Sequence, residues 1–516
     1  MKRLSFLFLL LVLSIKTYSQ EGAINVTLEK SELFKEKKSS VLNTIYKDDL
    51  NNLYTIRTLE SGKSLLIDVF DKNLKKVNSL EHKIEKKHRV SGGFFNQKTL
   101  GFVEYFTNKK EKKIEAFLYT SSKDKLSFSK KKIFEVDNDR YPSFFESVFS
   151  ASKIDKDFQG NMSFSESGKY NVFNIDSSDK KNEHHSIKVF DENFDKLWEK
   201  EFELPYTDKR FKLQDVKVSD EGDVFVLGKV HPKKKKKKKK GGNYHYELFK
   251  ITKTSVSSTK ISVEDHFVAT LELGFTPENK ISCIGFYSNK NENRFKGVCS
   301  FIITPENIAI ENSVFSPFTE QFLTDKYGKS KDKELRNITF KNVSYPNDGG
   351  MIITAEEFFI TSTYVYTQYG GYTKISYNFD DIITLKLDDK GKLLWARNIN
   401  KAQTSGYFSD PLMSFGTAQY NNNEYLILNA HKKMGELSGG RIKFRESFLW
   451  KATKNNTKLY IVKFDKEGDF VYKTLLTNKE EETPFNCRFI EQVSENELIL
   501  YGQRKKKKQF LKITLN

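Results

Sequence analysis

Leu387-Asp388-Asp389-Lys390-Gly391-Lys392-Leu393-Leu394-Trp395 runs from an apolar residue through an aspartate and a polar turn to an apolar and aromatic exit. The same order returns in Phe464-Asp465-Lys466-Glu467-Gly468 leading to Val471-Tyr472. It returns again in Phe190-Asp191-Glu192-Asn193 leading to Leu197-Trp198, and in Phe70-Asp71-Lys72-Asn73 leading to Val77. Each copy reads as a strand, a tight turn and a second strand. One hairpin recurring along most of a chain is the mark of a repeat architecture.

Working outward, strands alternate with polar turns almost throughout. Clear second strands follow Glu221-Gly222-Asp223, Asn422-Asn423-Glu424 and Glu495-Asn496-Glu497. The pattern predicts an all-β chain, a β-propeller of about eight four-stranded blades. Their expected bounds are 40–83, 88–136, 158–204, 211–263, 266–314, 336–400, 411–477 and 484–516, and seven blades is the alternative count. Phe510-Leu511-Lys512-Ile513-Thr514 matches the third strand Leu248-Phe249-Lys250-Ile251-Thr252, so the last repeat lacks its fourth strand. Ala23 to Leu28 is a strand without neighbours of its own. Placing it last in the final blade closes the ring and leaves no open edge.

The Leu387–Trp395 segment is similar to the tryptophan-docking repeat of quinoprotein dehydrogenases and of the propeller lipoprotein of the outer-membrane assembly machine. That resemblance implies a propeller hairpin in which the aromatic packs between blades. The other repeats keep only single elements of it, Gly468 and Trp198, and no quinone site is implied.

Bulk composition suits this reading. The 516 residues include 44 Phe and 24 Tyr but 9 Pro, and aromatics favour pleated, half-buried surfaces. Lys2 and Arg3, then the apolar stretch Leu4 to Ile15, then Thr17 and Ser19 before Gln20 read as a secretory signal over 1–19. The remainder, 20–516, is expected as one propeller domain. The apolar stretch is too short for a good membrane span, and no later one is long enough. Export to the periplasm or the outer-membrane periphery is expected, with secretion as the alternative. The formal charge is +19, and the leader carries three of those charges, in Lys2, Arg3 and Lys16.

Candidate chemistry is sparse. HExxH, Gly-x-Ser-x-Gly, P-loop and sialidase-type Asp-box patterns are missing. No catalytic residue, metal ligand or cofactor is assigned. His184-His185 would point to opposite faces of a strand. Glu356-Glu357 and Asp380-Asp381 are acid pairs that a hydrolase could use, and that charged strand ends explain as well. Cys283 and Cys299 sit on adjacent strands with a turn expected near Asn291. That symmetry opposes them and allows a disulfide; two reduced packing thiols are the alternative.

Long connections are expected on one face of the ring, after second strands or between blades. Those after second strands are basic: Lys109–Lys113, the eight-lysine run holding Lys233, Lys236 and Lys240, and Arg504 with Lys505 up to Lys508. The 355–379 connection instead carries Tyr364, Tyr366, Tyr369 and Tyr372 around Gly370-Gly371. Basic loops draw anionic partners at long range, and tyrosines hold them by contact. The expected role is an exported, non-catalytic interaction scaffold. Its partner would be a protein or an anionic envelope component such as lipid headgroups or an acidic glycan, with nucleic acid disfavoured. The alternative is a carbohydrate-active or quinone-dependent propeller enzyme.

Overall fold

The computed structural model describes residues 24–516 apart from 37–38, 60, 87, 97–98, 109, 112, 123–125, 138–160, 177–182, 208–209, 233–243, 263–264, 291, 293, 329–334, 336, 368–369, 409, 433–434, 438–440 and 446–452. The described residues form eight sheets, antiparallel but for one short parallel pair, most of them four-stranded and ordered as the chain runs. We letter their strands a to d. The sheets span 40–83, 88–137, 161–204, 211–261, 266–317, 338–405, 415–477 and 485–515.

The repeated aspartate explains why each hairpin turns where it does. Asp388 Oδ1 accepts the backbone N–H of Lys390 at 3.0 Å and of Lys392 at 2.8 Å. Asp465, Asp191 and Asp71 accept from the residues two and four positions on in the same way. The side chain thereby satisfies the orphan donors of the turn. Three residues after each aspartate the backbone is left-handed, at Gly391 (φ 80°), Gly468 (φ 85°), Leu74 (φ 61°) and Phe194 (φ 59°). Glycine is needed at 468 for a second reason. Trp395, on strand d of the sixth sheet, lies over it, and any side chain there would enter the indole ring. The indole N–H donates to the Lys466 carbonyl at 2.9 Å. The tryptophan of one sheet is thus docked on the turn of the next.

Apolar faces meet between consecutive sheets. Separate buried clusters join the first to the second, the second to the third, and onward to the eighth. A further cluster of Leu42, Ile45, Leu53 and Phe70 with Val493, Ile499, Tyr501 and Phe510 joins the first sheet to the eighth. Repeated four-stranded meanders packed face to face in chain order are the β-propeller arrangement. Strand Val26–Lys30 completes the eighth sheet, pairing antiparallel with Leu515 back to Leu511.

Three expectations change. The 355–379 segment is strand rather than loop: Met351–Thr367 and Gly370–Leu387 are one long hairpin. Helix Glu320–Tyr327, capped by Thr319, lies inside the expected 315–335 connection. Part of the 431–457 connection folds into strands Gly435–Leu437 and Arg441–Arg445, the second of which pairs in parallel with strand d of the sixth sheet. Among the described residues no helix is long and apolar enough to cross a membrane.

Candidate docking surface

The sixth sheet is built unlike the others. Its b and c strands stay in register from Met351↔Leu387 to Thr367↔Gly370, broken only by a bulge between Glu356 and Phe358. Strand a covers the b strand only as far as Glu357. Strand d covers the c strand only as far as Tyr377. Beyond those points two strands continue alone, from Thr361↔Ser376 to Thr367↔Gly370, as an arm about 20 Å long at the usual strand rise.

Side chains alternate across the arm. Phe358, Ile360, Ser362, Tyr364 and Tyr366 share one face with their partners Phe379, Tyr377, Ile375, Thr373 and Gly371. The other face carries Thr361, Thr363 and Val365 with Tyr372, Lys374 and Ser376. The first face is an apolar stripe open to solvent. Tyr366 is 84% exposed, and Ile360, Tyr364 and Ile375 are exposed as well. The rings of Tyr364 and Tyr366 meet edge to face at 4.7 Å. Gly371 leaves room for the Tyr364 phenol, which would collide with any side chain there.

At its root the stripe broadens. Phe358 packs on Phe379 at 5.0 Å and on Phe408 at 5.8 Å, and Phe408 also meets Tyr377. The Arg488 guanidinium lies 4.1 Å over the Phe408 ring and donates to the Phe408 carbonyl. Tyr407 and Phe489 are exposed beside them.

Three of the four paired acids, Glu356, Glu357 and Asp381, hold this root. Fully buried Glu356 accepts from Lys401 at 2.8 Å and from Ser414 at 2.7 Å, with Lys341 at 3.1 Å. Burial drives its carboxyl upward, but Lys401 and Lys341 bring it net below the ordinary value. Lys401 also donates to the Phe379 carbonyl and to Gln403, which accepts from the Ser414 N–H. That closed circuit fixes the arm's root to the loop bearing Phe408. On the other side Lys326, from helix Glu320–Tyr327, bridges Glu357 at 2.8 Å and Asp381 at 2.6 Å. Burial and the neighbouring acids hold the Glu357 carboxyl up despite Lys326. These carboxylates are structural anchors at two bulges.

The other candidate residues lie on several sheets. Arg504 and Lys505 are exposed on the b–c turn of the eighth sheet, and Lys110 is exposed on that of the second. Lys508 is a correction: it is buried, with Nζ on the Lys505 carbonyl at 2.8 Å and 3.9 Å from Glu36. Lys233, Lys236, Lys240 and Tyr369 lie outside the described residues. The cysteine pair is also corrected. Cys283 lies opposite Phe301 and Cys299 opposite Gly285, so the two are diagonal rather than opposed. Diagonal positions are farther apart than a disulfide tolerates. Both are free, buried thiols in the apolar contact between the fourth and fifth sheets. His185 is buried between Asn174 and Glu183, and His184 points the other way. Among the described residues no group of three or more His, Cys, Asp or Glu is placed to hold a metal ion.

Buried Glu424 forms no ion pair among the described residues. Burial pushes the Glu424 carboxyl up to about 8, and Gln419 and Ser344 offset little of it. The folded chain keeps this proton while the unfolded chain releases it near 4.5, so stability falls as pH rises between those values. At about 1.4 kcal/mol per unit, the full loss is on the order of 3–5 kcal/mol. We expect E424Q to flatten the pH dependence of thermal unfolding between pH 5 and 8 and to raise the midpoint at pH 8. Parallel wild-type and E424Q curves across that range would reject the assignment.

No family model matches the chain, and no curated protein matches it. Solved structures do match. The Cps50 (Swd1) β-propeller domain of Myceliophteria thermophila is 9% identical with a TM-score of 0.35, over 94% of this chain and 99% of that one. The β-propeller domain of the trilobed protease from Pyrococcus furiosus is 11% identical with a TM-score of 0.33, over 72% and 94%. Prolyl oligopeptidase B from Galerina marginata is 8% identical with a TM-score of 0.38, over 90% of this chain. The chain spans 55% of that peptidase's length.

Proposed function

We propose that this chain is an exported, non-catalytic docking scaffold. In this reading the eight sheets are the blades of one closed propeller, sealed by Val26–Lys30. The cyclic order of apolar contacts supports it, because the first sheet packs on the eighth as well as on the second. The arm and the basic b–c connections then emerge on one rim, since each follows strand b of its sheet. That rim would hold a protein with an acidic surface in the cell envelope. The observation that carries the proposal is the solvent-exposed stripe of Ile360, Tyr364, Tyr366 and Ile375 on a braced arm. Exposed aromatic surface of this kind, when contiguous, marks an interaction site.

The two halves of the rim act on different rates. Basic loops set association and its salt dependence, and aromatic contacts set dissociation. The test is crosslinking in intact cells with identification of what is bound. We expect Y364A/Y366A to lose the crosslinked partner while thermal unfolding stays unchanged. Replacing Lys233–Lys240 with Ser and Gly should slow capture and flatten its salt dependence. An unchanged set of partners in the tyrosine variant would overturn the proposal.

A further inference from the structure

We infer that the arm takes its partner by strand addition: an extended segment of another protein pairs with the outer edge of Phe358–Tyr366. This deepens the docking proposal and rests on it. The edge can be assigned from one bond. The Phe358 N–H points away from the arm's own ladder, donating to the Asn337 carbonyl at 2.9 Å. Backbone direction alternates along a strand in an antiparallel ladder. Ile360, Ser362, Tyr364 and Tyr366 therefore also present their N–H and C=O groups outward. Among the described residues only the a and c strands of the sixth sheet pair with this strand, and the a strand stops at Glu357.

Such an edge is a template for another chain, and folded proteins normally blunt theirs with lysine, proline or a bulge. This one is not blunted. In a chain that is 30% charged, Lys374 is the one charged residue between Phe358 and Phe379. The b half of the arm, Phe358 to Thr367, has neither charge nor proline. β-Branched and aromatic residues fill it, the composition that favours pairing.

The same edge decides between occupants. A membrane would leave the outward N–H and C=O groups without partners, which hydrocarbon penalises heavily. A second copy of this chain would have to approach against like charge, because each exported copy carries about +16, the formal +19 less the three charges of the leader. A strand from a different protein satisfies the edge and sets alternate side chains on the Tyr364–Tyr366 stripe. Charge complementarity calls for acidic residues flanking that strand.

The probe is the fluorescein-labelled peptide Asp-Asp-Val-Thr-Val-Thr-Val-Thr-Asp-Asp, read by fluorescence anisotropy with the full chain. S362P removes an outward N–H and leaves the arm's own ladder intact, since proline is tolerated on the open side of an edge strand. We expect S362P to weaken peptide binding about ten-fold or more, through the lost bond and the blocked approach. A peptide N-methylated at alternate residues should lose binding to the unaltered chain, which keeps the test independent of how S362P folds. Loss of binding in Y364A/Y366A without any effect of S362P or N-methylation would leave the docking stripe standing and overturn strand addition. No binding by the peptide, or stronger capture by vesicles of equal phosphatidylcholine and phosphatidylglycerol, overturns it too. A concentration-dependent dimer abolished by S362P would assign the edge to a second copy and overturn it as well.

Discussion

Removing residues 24–36 should cost the chain on the order of 3–6 kcal/mol, because two buried interactions disappear together. Ile24 is buried between the seventh and eighth sheets, and its loss alone is worth about 1.5–3 kcal/mol. Glu36 is the second. It pairs with Arg57, whose side chain is 1% exposed and which also bonds Asp68 and Ser40. Without Glu36 the buried guanidinium keeps Asp68 but loses its second carboxylate and a charge-assisted hydrogen bond, at about 1–3 kcal/mol. Strand Val26–Lys30 leaves as well, so Lys507–Leu515 becomes an open edge. At the usual unfolding entropy for a chain of this size, the thermal midpoint should fall by roughly 3–6 °C. A synthetic peptide copying residues 24–36 should restore part of the loss when added in trans. Thermal unfolding that is unchanged by the deletion would show that the first strand seals nothing.

The pairing of Val26–Lys30 with the last strand was legible in the sequence because its evidence is positional. The repeat pattern leaves the strand before the first repeat without a neighbour of its own, and Phe510–Thr514 matches a c strand, which is paired on both sides. Sheet bounds were legible for a related reason. In the first, third, sixth and seventh sheets the c–d turn is marked by an aspartate that binds its own backbone, so that signal lies within five residues. The arm was half legible. Its Tyr, Thr, Val and Ile were visible, but strands of 17 and 18 residues are far beyond the usual five or six. With Gly370-Gly371 in the middle, a connecting loop was the natural reading. The root could not be read. Glu356 meets Lys401 across 45 positions and Ser414 across 58, and Arg488 reaches Phe408 across 80. No local pattern records such pairings. The acid pairs drew notice as catalysts because their lysine partners lie on other strands and on the helix. The cysteine pairing failed on register. The hairpin Ile281–Asn289 to Gly297–Ile303 is centred one residue later than expected, which offsets the partners by two.

The arm's rigidity should depend on Lys401 more than on any residue of the arm itself. Lys401 and Glu356 are both fully buried, and Lys401 alone touches the Glu356 carboxylate, the Phe379 carbonyl and Gln403. K401M should therefore destabilise the chain by about 3–5 kcal/mol at neutral pH. Its pH dependence identifies the cause. In the wild type, Lys401 and Lys341 outweigh burial and keep the Glu356 carboxyl low, so its contribution is present above its ordinary range and is lost as pH falls. Without Lys401, burial raises that carboxyl instead, and stability then falls as pH rises. The deficit of K401M should accordingly be largest at pH 7 and shrink toward pH 4. Local loosening should appear beside the global loss. Lys374 is exposed on the arm, and trypsin should cut there faster in K401M under native conditions. Pairing the change with E356L removes the stranded charge and should return most of the stability, because an apolar pair can replace a buried ion pair. The arm should stay loose even then, since the bonds to Phe379 and Gln403 are not restored. A double variant that recovers both stability and protease resistance would show that Lys401 only neutralises Glu356, and that apolar packing alone holds the arm.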